Sequence, residues 1–370
     1  MDFDFTPAQD EAAILAARIL TDKATPERMR EVEGAGDRFD RELWSSMAGS
    51  GLLSLAIPEE YDGAGLGLIE LVRVLIEVGR TVAPVPLATH GPASFLLAEA
   101  GSDHQKQSWL PGAATGSRLL TAAVSEDGAH LPASPAVTAE RGADAWTLDG
   151  TKTIVRAGTV ADLLLVTATT DQGPGVFLVE PGSDGVRVQP QHTSDGDVVA
   201  RIELSDVVLP ADALVGTTDG TAARRLGQLV TVCAAAEQLG VVRGAVALTA
   251  AYAKSREQFG RPIGTFQAVS QRLADGYIDG LLEELALWQA VWRVSEGLPA
   301  EVEVASAKLW AADAGHRVAH TTVHVHGGVG IDLDGEAHRY FTAAKRFEFS
   351  FGGATEQALT IGRALAGESS

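Results

Sequence analysis

The chain has 370 residues, of which 45% are hydrophobic and 21% charged, a composition typical of a folded protein and not of a disordered one. Its 49 acidic and 29 basic residues give a formal net charge of −20. This charge disfavours binding to nucleic acid or to an anionic membrane surface, because both are polyanions. The single cysteine, Cys233, excludes an intrachain disulfide and fits a reducing compartment.

The N-terminus and the hydropathy of the chain predict a soluble, cytoplasmic protein. The first segment, MDFDFTPAQDEAAILAARIL, carries acidic residues where a signal peptide needs basic ones. No apolar run approaches the ~20 residues that a membrane span requires. The nine histidines show no metal-ligand spacing, so no metal site is expected.

The hydrophobic pattern divides the chain into three predicted domains and gives an α+β fold class. Residues 1–119 have apolar residues at helical spacing. Residues 120–215 contain short Val-, Thr- and Leu-rich runs between Gly, Asp and Pro, which predicts an antiparallel β domain. Residues 216–370 return to a helical period and predict a bundle. The predicted helices are 11–20, 42–47, 68–78, 92–100, 222–255, 266–295, 300–327 and 336–366, and predicted turns include Pro26, Gly34, Gly36 and 57–67.

Five motifs along the chain resemble those of acyl-CoA dehydrogenases, in the order that this family has them. The resemblance covers essentially the whole length. It implies an N-terminal helical domain, a middle antiparallel β domain and a C-terminal four-helix bundle, and FAD at the interface between subunits. The motifs are MDFDFTPAQ at the start, IPEEYDGAGLG, LDGTK, REQFGRPIGTFQAVSQRLAD and VHVHGGVGIDLDGEAHRYFTAAK.

The resemblance implies that the C-terminal domain binds the dinucleotide end of a neighbouring subunit's FAD. Arg256 has the planar, bidentate donor that a pyrophosphate needs, although an arginine at a helix end can instead cap carbonyls. His324 departs from the family, which usually has Gln there, and an imidazole makes this contact pH-dependent. His326 is more often a packed histidine than a ligand. The cofactor-binding residues implied are Arg256, Gln258, Phe259, Phe266, Gln267, His324, Gly327 and Gly328.

The β domain lacks parts of the pattern that holds the flavin ring in the family. Ser125 can replace a family threonine, but the following Gly-Ser pair has no counterpart in this chain. Ile154 stands near a family tryptophan, and Arg156 stands where a small hydroxyl residue is expected. One interpretation is that Arg156 favours an anionic, reduced flavin. The simpler prediction is that this β domain holds flavin poorly or not at all.

The usual catalytic base is also missing. The family removes an α proton from an acyl-CoA thioester with a glutamate, and the two positions that the family uses are Gly352 and Val230 here. Neither side chain accepts a proton. Glu237 and Glu356 are the nearest carboxylates and are weak candidates, since each is more simply a surface or interface residue. No catalytic residue is therefore assigned.

These observations favour the non-catalytic subunit of a heterotetrameric (α2β2) acyl-CoA dehydrogenase in lipid metabolism. A homologous companion chain would supply the base, and an electron-transfer acceptor would reoxidise the flavin. Heteromeric members of the family suggest a bulky acyl-CoA, such as a shortened steroid side chain. The alternatives are a homotetrameric dehydrogenase with Glu237 or Glu356 as a relocated base, and a flavin-free acyl-CoA-binding scaffold.

Overall fold

The computed structural model describes residues 4–367. Residues 1–3 of the predicted first domain and residues 368–370 of the predicted third domain lie outside the described part. Helices come first, strands follow, and helices return, which confirms the predicted α+β fold class. The helices are α1 (Pro7–Lys23), α2 (Pro26–Gly34), α3 (Arg41–Gly49), α4 (Leu68–Arg80), α5 (Leu87–Ala100), α6 (Asp103–Ala114), α7 (Thr221–Ser255), α8 (Gln267–Ser295), α9 (Glu301–His326), α10 (Ala337–Phe349) and α11 (Ala354–Ala366). The strands are β1 (Leu120–Ala123), β2 (Thr138–Arg141), β3 (Ala145–Arg156), β4 (Leu163–Thr169), β5 (Pro174–Val179), β6 (Val186–His192), β7 (Val198–Pro210), β8 (Leu214–Val215), β9 (Glu257–Gln258) and β10 (Arg261–Pro262).

The chain forms two compact units, which we name the helical unit and the mixed unit. The helical unit comprises residues 1–31, 72–83 and 234–370, and the mixed unit comprises residues 32–71 and 84–233. The mixed unit contains the sheet together with α3, α5 and α6. The helical unit contains α1 and α8 to α11 with most of α4 and α7.

The sheet of the mixed unit runs in the order β6-β7-β3-β2-β4-β5-β8, with β1 beside β4. Most neighbours are antiparallel, as predicted, but β1 and β2 both pair with β4 in parallel. The predicted antiparallel arrangement therefore holds for most of the sheet but not for these two pairings. All four residues of β1 are buried, which follows from its position beside β4 and under α5. The core of the sheet includes Trp146 and Phe177, whose rings meet edge to face at 5.1 Å.

A close helix crossing fixes α7 against α4 in the helical unit. A Cβ at Gly240 would lie 2.0 Å from the Ile76 carbonyl oxygen, and a Cβ at Gly79 would lie 1.8 Å from the Glu237 carbonyl oxygen. Only glycine fits at either position, because its missing side chain lets the two backbones touch. By length and composition alone α7 could cross a membrane, but 89% of its most apolar stretch is buried, as expected of a core helix.

Two predicted boundaries are wrong for identifiable reasons. Pro26 was expected in a turn, yet it begins α2, because proline is well tolerated in the first turn of a helix. The predicted helix 336–366 is two helices, α10 and α11. Phe351 and Gly352 between them have φ values of 56° and 95°, which no right-handed helix contains.

Candidate functional site

A short hairpin follows α7 and carries most of the residues implied to bind a dinucleotide. Strands β9 and β10 pair in antiparallel fashion, with Gln258 opposite Arg261. The two residues that join them, Phe259 and Gly260, have φ values of 55° and 78°. Positive φ at both central residues is the geometry of the tight hairpin turns that Asn-Gly prefers. A phenylalanine in this conformation is strained, and strain of this kind is concentrated at functional sites.

Phe259 of the hairpin is exposed and packs against the half-buried Phe266 that follows the hairpin. Phe259 is 93% exposed, and its ring lies edge to face against Phe266 at 6.1 Å. The Arg261 guanidinium lies 4.2 Å from the centre of the Phe266 ring, a cation–π contact. The side chains of Gln258 and Gln267 are exposed as well. The hairpin and the first residue of α8 therefore present an aromatic residue and two carboxamides to the outside of the chain, and the Gln258 carboxamide also donates to the Glu257 carbonyl at 2.7 Å.

The backbone of Arg256 is fixed while its side chain is not. Its amide donates to the Tyr252 carbonyl at 2.8 Å, and its carbonyl accepts from the Ile263 amide at 2.8 Å. Its guanidinium is exposed, and within residues 4–367 it makes no hydrogen bond or ion pair. Arg256 thus caps no helix carbonyl in the described part of the chain. An exposed guanidinium on a fixed backbone suits bidentate contact with a phosphate group.

The C-terminal end of α9 lies against the start of the hairpin. The buried His326 ring stacks on Tyr252 at 4.3 Å, and its Nδ1 lies 2.9 Å from the Thr322 carbonyl oxygen. His326 is therefore a packed histidine. Because Arg256 is bonded to Tyr252 and His326 precedes Gly327, this stack brings the hairpin and the glycine turn together.

The glycine turn after α9 leaves open space. A Cβ at Gly327 or Gly328 would meet no atom within 4 Å, so no neighbouring atom of the chain requires their small size. Gly327 has a φ of 65°, which favours glycine. Its amide donates to the Val323 carbonyl and is therefore engaged within the chain. His324, one turn before the glycines, is exposed. Together with the hairpin, these residues fit an extended, phosphate-bearing molecule approaching from outside the chain.

The candidate base positions hold no proton acceptor. Val230 is 1% exposed on α7, and Gly352 lies in the connection between α10 and α11. Glu237 is buried, and its carboxylate forms an ion pair with Arg346 at 3.7 Å. Glu356 is exposed, and its carboxyl oxygen Oε2 lies 3.0 Å from where a Cβ of residue 352 would be. Glu237 therefore has a structural environment, whereas Glu356 lies over the position that Gly352 leaves open.

In the mixed unit, the run that resembles the family's flavin-ring segment is used internally. Ser125 donates its hydroxyl to the His130 carbonyl at 2.8 Å, so this hydroxyl is engaged. Glu126 accepts from Lys152 Nζ and from the Ala136 amide, both at 2.6 Å. Burial opposes the ionisation of Glu126, but these bonds outweigh it and lower its pKa. Burial lowers the pKa of Lys152 to about 8, against the attraction of Glu126, so the pair remains charged at neutral pH.

The end of β3, which corresponds to the segment that resembles the family's ring-facing run, contains a bulge. Ile154 has a φ of 52° and is 52% exposed, which is a strained conformation for a β-branched residue. The Gln191 side-chain oxygen accepts from the Ile154 amide at 3.3 Å. Arg156 pairs with Asp197 at 3.5 Å, and so its charge is compensated within the chain. This ion pair weakens the interpretation of Arg156 as a cation for reduced flavin, and poor flavin binding by this β domain stays a prediction.

Sequence reasoning overlooked the internal partners of these groups. Asp197 pairs with Arg156, and two residues earlier Asp195 pairs with Arg38 at 3.5 Å, with both of those side chains buried. The sequence signal for these partners was the acidic run TSDGD before β7, whose composition predicts only a loop. Within residues 4–367, no cluster of three or more His, Cys, Asp or Glu side chains could hold a metal ion.

Comparison with known proteins gives the same family for every part of the chain. The N-terminal, middle and C-terminal domain models of acyl-CoA dehydrogenases match residues 6–117, 121–207 and 230–366. The chain is 46% identical to acyl-CoA dehydrogenase FadE27 of Mycobacterium tuberculosis, over 99% of each protein. It is similar to a chain of the ChsE4-ChsE5 complex of the same organism, with a TM-score of 0.95, 46% identity and full coverage of both chains. It is also similar to a chain of a variant of the Tcur3481-Tcur3483 steroid ACAD, with a TM-score of 0.93, 41% identity and coverage of 97% and 98%.

These matches span the whole fold and agree with the motifs read from the sequence. The matched domains follow one another in the order that the structure shows, helices, strands and helices. The chain belongs to the acyl-CoA dehydrogenase family, whose cofactor is FAD.

Proposed function

We propose that this chain is the non-catalytic subunit of a heteromeric, FAD-dependent acyl-CoA dehydrogenase. The observation that carries the proposal is the contrast between its two candidate flavin regions. The hairpin after α7 presents an exposed Arg256 on a fixed backbone, whereas Arg156, beside the bulge in β3, is paired with Asp197. Such a chain can grip the dinucleotide end of a cofactor whose ring lies in a companion chain.

FAD, when bound, accepts the hydride that leaves the β carbon of the acyl-CoA. This chain's part is to bind and orient the cofactor. Arg256 would hold the diphosphate, Phe259 and Gln258 would contact the rest of the dinucleotide, and the backbone at Gly327 and Gly328 would allow close approach. Proton removal from the α carbon falls to the companion, because Val230 and Gly352 cannot accept a proton.

An exposed apolar face on α8 supports association with other chains. Its residues recur at helical spacing, and each is exposed by 38% or more. Two of the similar structures are named as complexes or pairs, ChsE4-ChsE5 and Tcur3481-Tcur3483, and the second is described as a steroid ACAD. We therefore propose an α2β2 assembly acting on a bulky, steroid-like acyl-CoA in the cytoplasm, with an electron-transfer acceptor. The residues of this face are Tyr277, Ile278, Leu281, Leu282, Leu285 and Trp292.

The test is to purify the chain alone and coexpressed with a homologous dehydrogenase that has a catalytic glutamate. We expect the isolated chain to hold less than about one tenth of an equivalent of FAD and to show no turnover with an artificial electron acceptor. The pair should contain FAD and be active. One FAD per chain together with acyl-CoA oxidation by the isolated chain would refute the proposal.

A second candidate function is supported by the position of Glu356. Its carboxyl group overlies Gly352, one of the two family base positions, so it could act as a relocated base in a homotetramer. Replacing Glu356 by Gln would then lower turnover by at least ~100-fold in a preparation of this chain alone. The matched control is Glu237→Gln, because Glu237 is buried in an ion pair with Arg346 and should affect stability instead.

A further inference from the structure

Two oppositely charged residues lie buried between neighbouring helices of the helical unit. Glu283 on α8 and Lys308 on α9 are both 0% exposed. Neither carboxyl oxygen of Glu283 has a hydrogen-bond partner among residues 4–367. Lys308 does not turn to Glu283: its Nζ donates to the Glu348 carbonyl at 3.2 Å. A buried carboxyl group without partners is costly, and so it calls for a physical explanation.

The charges around Glu283 do not compensate it. Arg243 on α7 is committed to Glu284 at 2.5 Å, and Asp279 is bonded to Arg317 at 2.7 Å. Burial raises the pKa of Glu283 well above its usual value, against the attraction of Arg243 and Lys308. Glu283 is thus protonated over part of the acidic range where other carboxyl groups are ionised. The charged groups that face it are Arg243, Lys308, Asp279 and Glu284.

Lys308 is similarly short of partners. An ammonium group has three hydrogens to donate, and the Glu348 carbonyl is its one acceptor in the described part of the chain. Burial lowers the pKa of Lys308 to about 8, and three carboxyl groups on other helices oppose this shift. Those groups are Glu283 on α8, Glu348 on α10 and Glu356 on α11.

The acceptor of Lys308, the Glu348 carbonyl, lies just before the strained connection between α10 and α11. Glu348 is in the last turn of α10, where carbonyls have no helical partner. The chain then passes through Phe351 and Gly352, with φ of 56° and 95°, before α11 begins. The Gln357 side chain holds this connection from the other side by donating to the Phe351 carbonyl at 2.8 Å. Lys308 and Gln357 together therefore keep residues 350–353 in their strained path.

We propose that Lys308 exchanges between two acceptors and so controls how tightly the α10–α11 connection is closed. When Glu283 is protonated, Lys308 caps α10 through the Glu348 carbonyl, as in this structure. When Glu283 loses its proton, the new carboxylate attracts the ammonium more strongly than a carbonyl does, because charge-assisted bonds are the stronger ones in a buried setting. Lys308 then leaves Glu348, and the connection loosens.

The test is hydrogen exchange of the amides in residues 349–357 of the full-length chain, with its companion if one is needed, between pH 5 and 9. Rates are corrected for the intrinsic pH dependence of exchange. We expect protection to fall at least tenfold as the pH rises. In Glu283→Gln, protection should persist until Lys308 itself deprotonates, which happens below its present pKa of about 8 because the variant lacks the attraction of Glu283. In Lys308→Met it should be low throughout, and the exposed control Glu296→Gln should follow the unmodified chain.

Two outcomes would overturn the proposal. One is protection that does not change with pH in the unmodified chain, and the other is an identical transition midpoint in Glu283→Gln. A purely structural role for Glu283 would shift protection equally at every pH and leave the midpoint in place. If Lys308→Met does not fold, the midpoint comparison between Glu283→Gln and the unmodified chain still decides.

Discussion

The hairpin after α7 and the bulge at the end of β3 share a backbone strain but differ in their charges. Phe259 and Ile154 have nearly the same positive φ, 55° and 52°, and both side chains are exposed. Beside them, Arg256 has no partner for its guanidinium among residues 4–367, whereas Arg156 pairs with Asp197. The lesson is that an arginine near a strained turn indicates a binding site only when its charge is not already compensated within the chain.

The largest expected effect on stability comes from removing the buried Lys152–Glu126 ion pair of the mixed unit. Replacing Lys152 by Met leaves the Glu126 carboxylate buried without its cation, which should cost about 3–5 kcal/mol in free energy of unfolding. Denaturant titration measures this loss. The double variant Lys152→Met/Glu126→Gln should recover part of it, because the uncompensated charge is gone. A single variant as stable as the unmodified chain would show that this pair does not hold the mixed unit together.

A pH titration of unfolding should show that the mixed unit loses stability at acidic pH. His90 is fully buried, with Nε2 3.2 Å from the Ala113 carbonyl and Nδ1 accepting from the Leu120 amide. Burial lowers its pKa from 6.5 to about 4. Between these values the unfolded chain binds a proton that the folded chain refuses, so stability falls as the pH decreases, by about 3 kcal/mol. His90→Gln should be less stable near neutrality but lack this contribution to the slope; an unchanged slope would contradict the assignment.

A substitution in the exposed hairpin segment should weaken FAD binding and leave the stability of the chain unchanged. Arg256→Ala in the coexpressed complex should weaken FAD retention about 10- to 100-fold, since a bond to a charged group contributes about 1.5–3 kcal/mol. The absorbance of bound flavin per complex after gel filtration measures this loss. Arg18→Ala, which removes another exposed arginine on α1, is the matched control. Equal flavin content in both variants would remove the main support for the dinucleotide assignment.

The smallest effect tests the shared backbone strain. Phe259→Gly relieves a left-handed phenylalanine and removes a side chain that is 93% exposed, so the isolated chain should become more stable by about 1 kcal/mol. Thermal unfolding measures this change. Assembly with the companion should weaken in the same variant if Phe259 contacts it or its cofactor. A less stable chain would mean that the Phe259–Phe266 contact matters more than the strain.

The fold was largely predictable because its signals are periodic and long. Helices α7, α8 and α9 were placed within a residue or so of their observed ends, and residues 120–215 were recognised as rich in short strands. The parallel pairing of β1 with β4 was not, because pairing direction depends on contacts between distant segments. The break at Phe351 and Gly352 was missed because the apolar period continues across it.

The candidate site was predictable only in part, for a different reason. The sequence located Arg256 and the hairpin through a motif, and these remain predictions as cofactor contacts. What it could not indicate was which charges are satisfied internally. Arg156 and Asp197 are 41 positions apart, and no local pattern connects them. Glu283 and Lys308 likewise occupy buried positions of their helices. The sequence alone does not indicate which residue, if any, such a buried charge contacts.

The stack of Tyr252 on His326 has a practical consequence for protein engineering. The hairpin is rooted in the last turn of α7, and that root rests on the last turn of α9. A designer who transplanted the hairpin alone into another scaffold would leave the tyrosine without its histidine. The ends of α7 and α9 would have to be transplanted together for the new scaffold to keep the Tyr252–His326 contact.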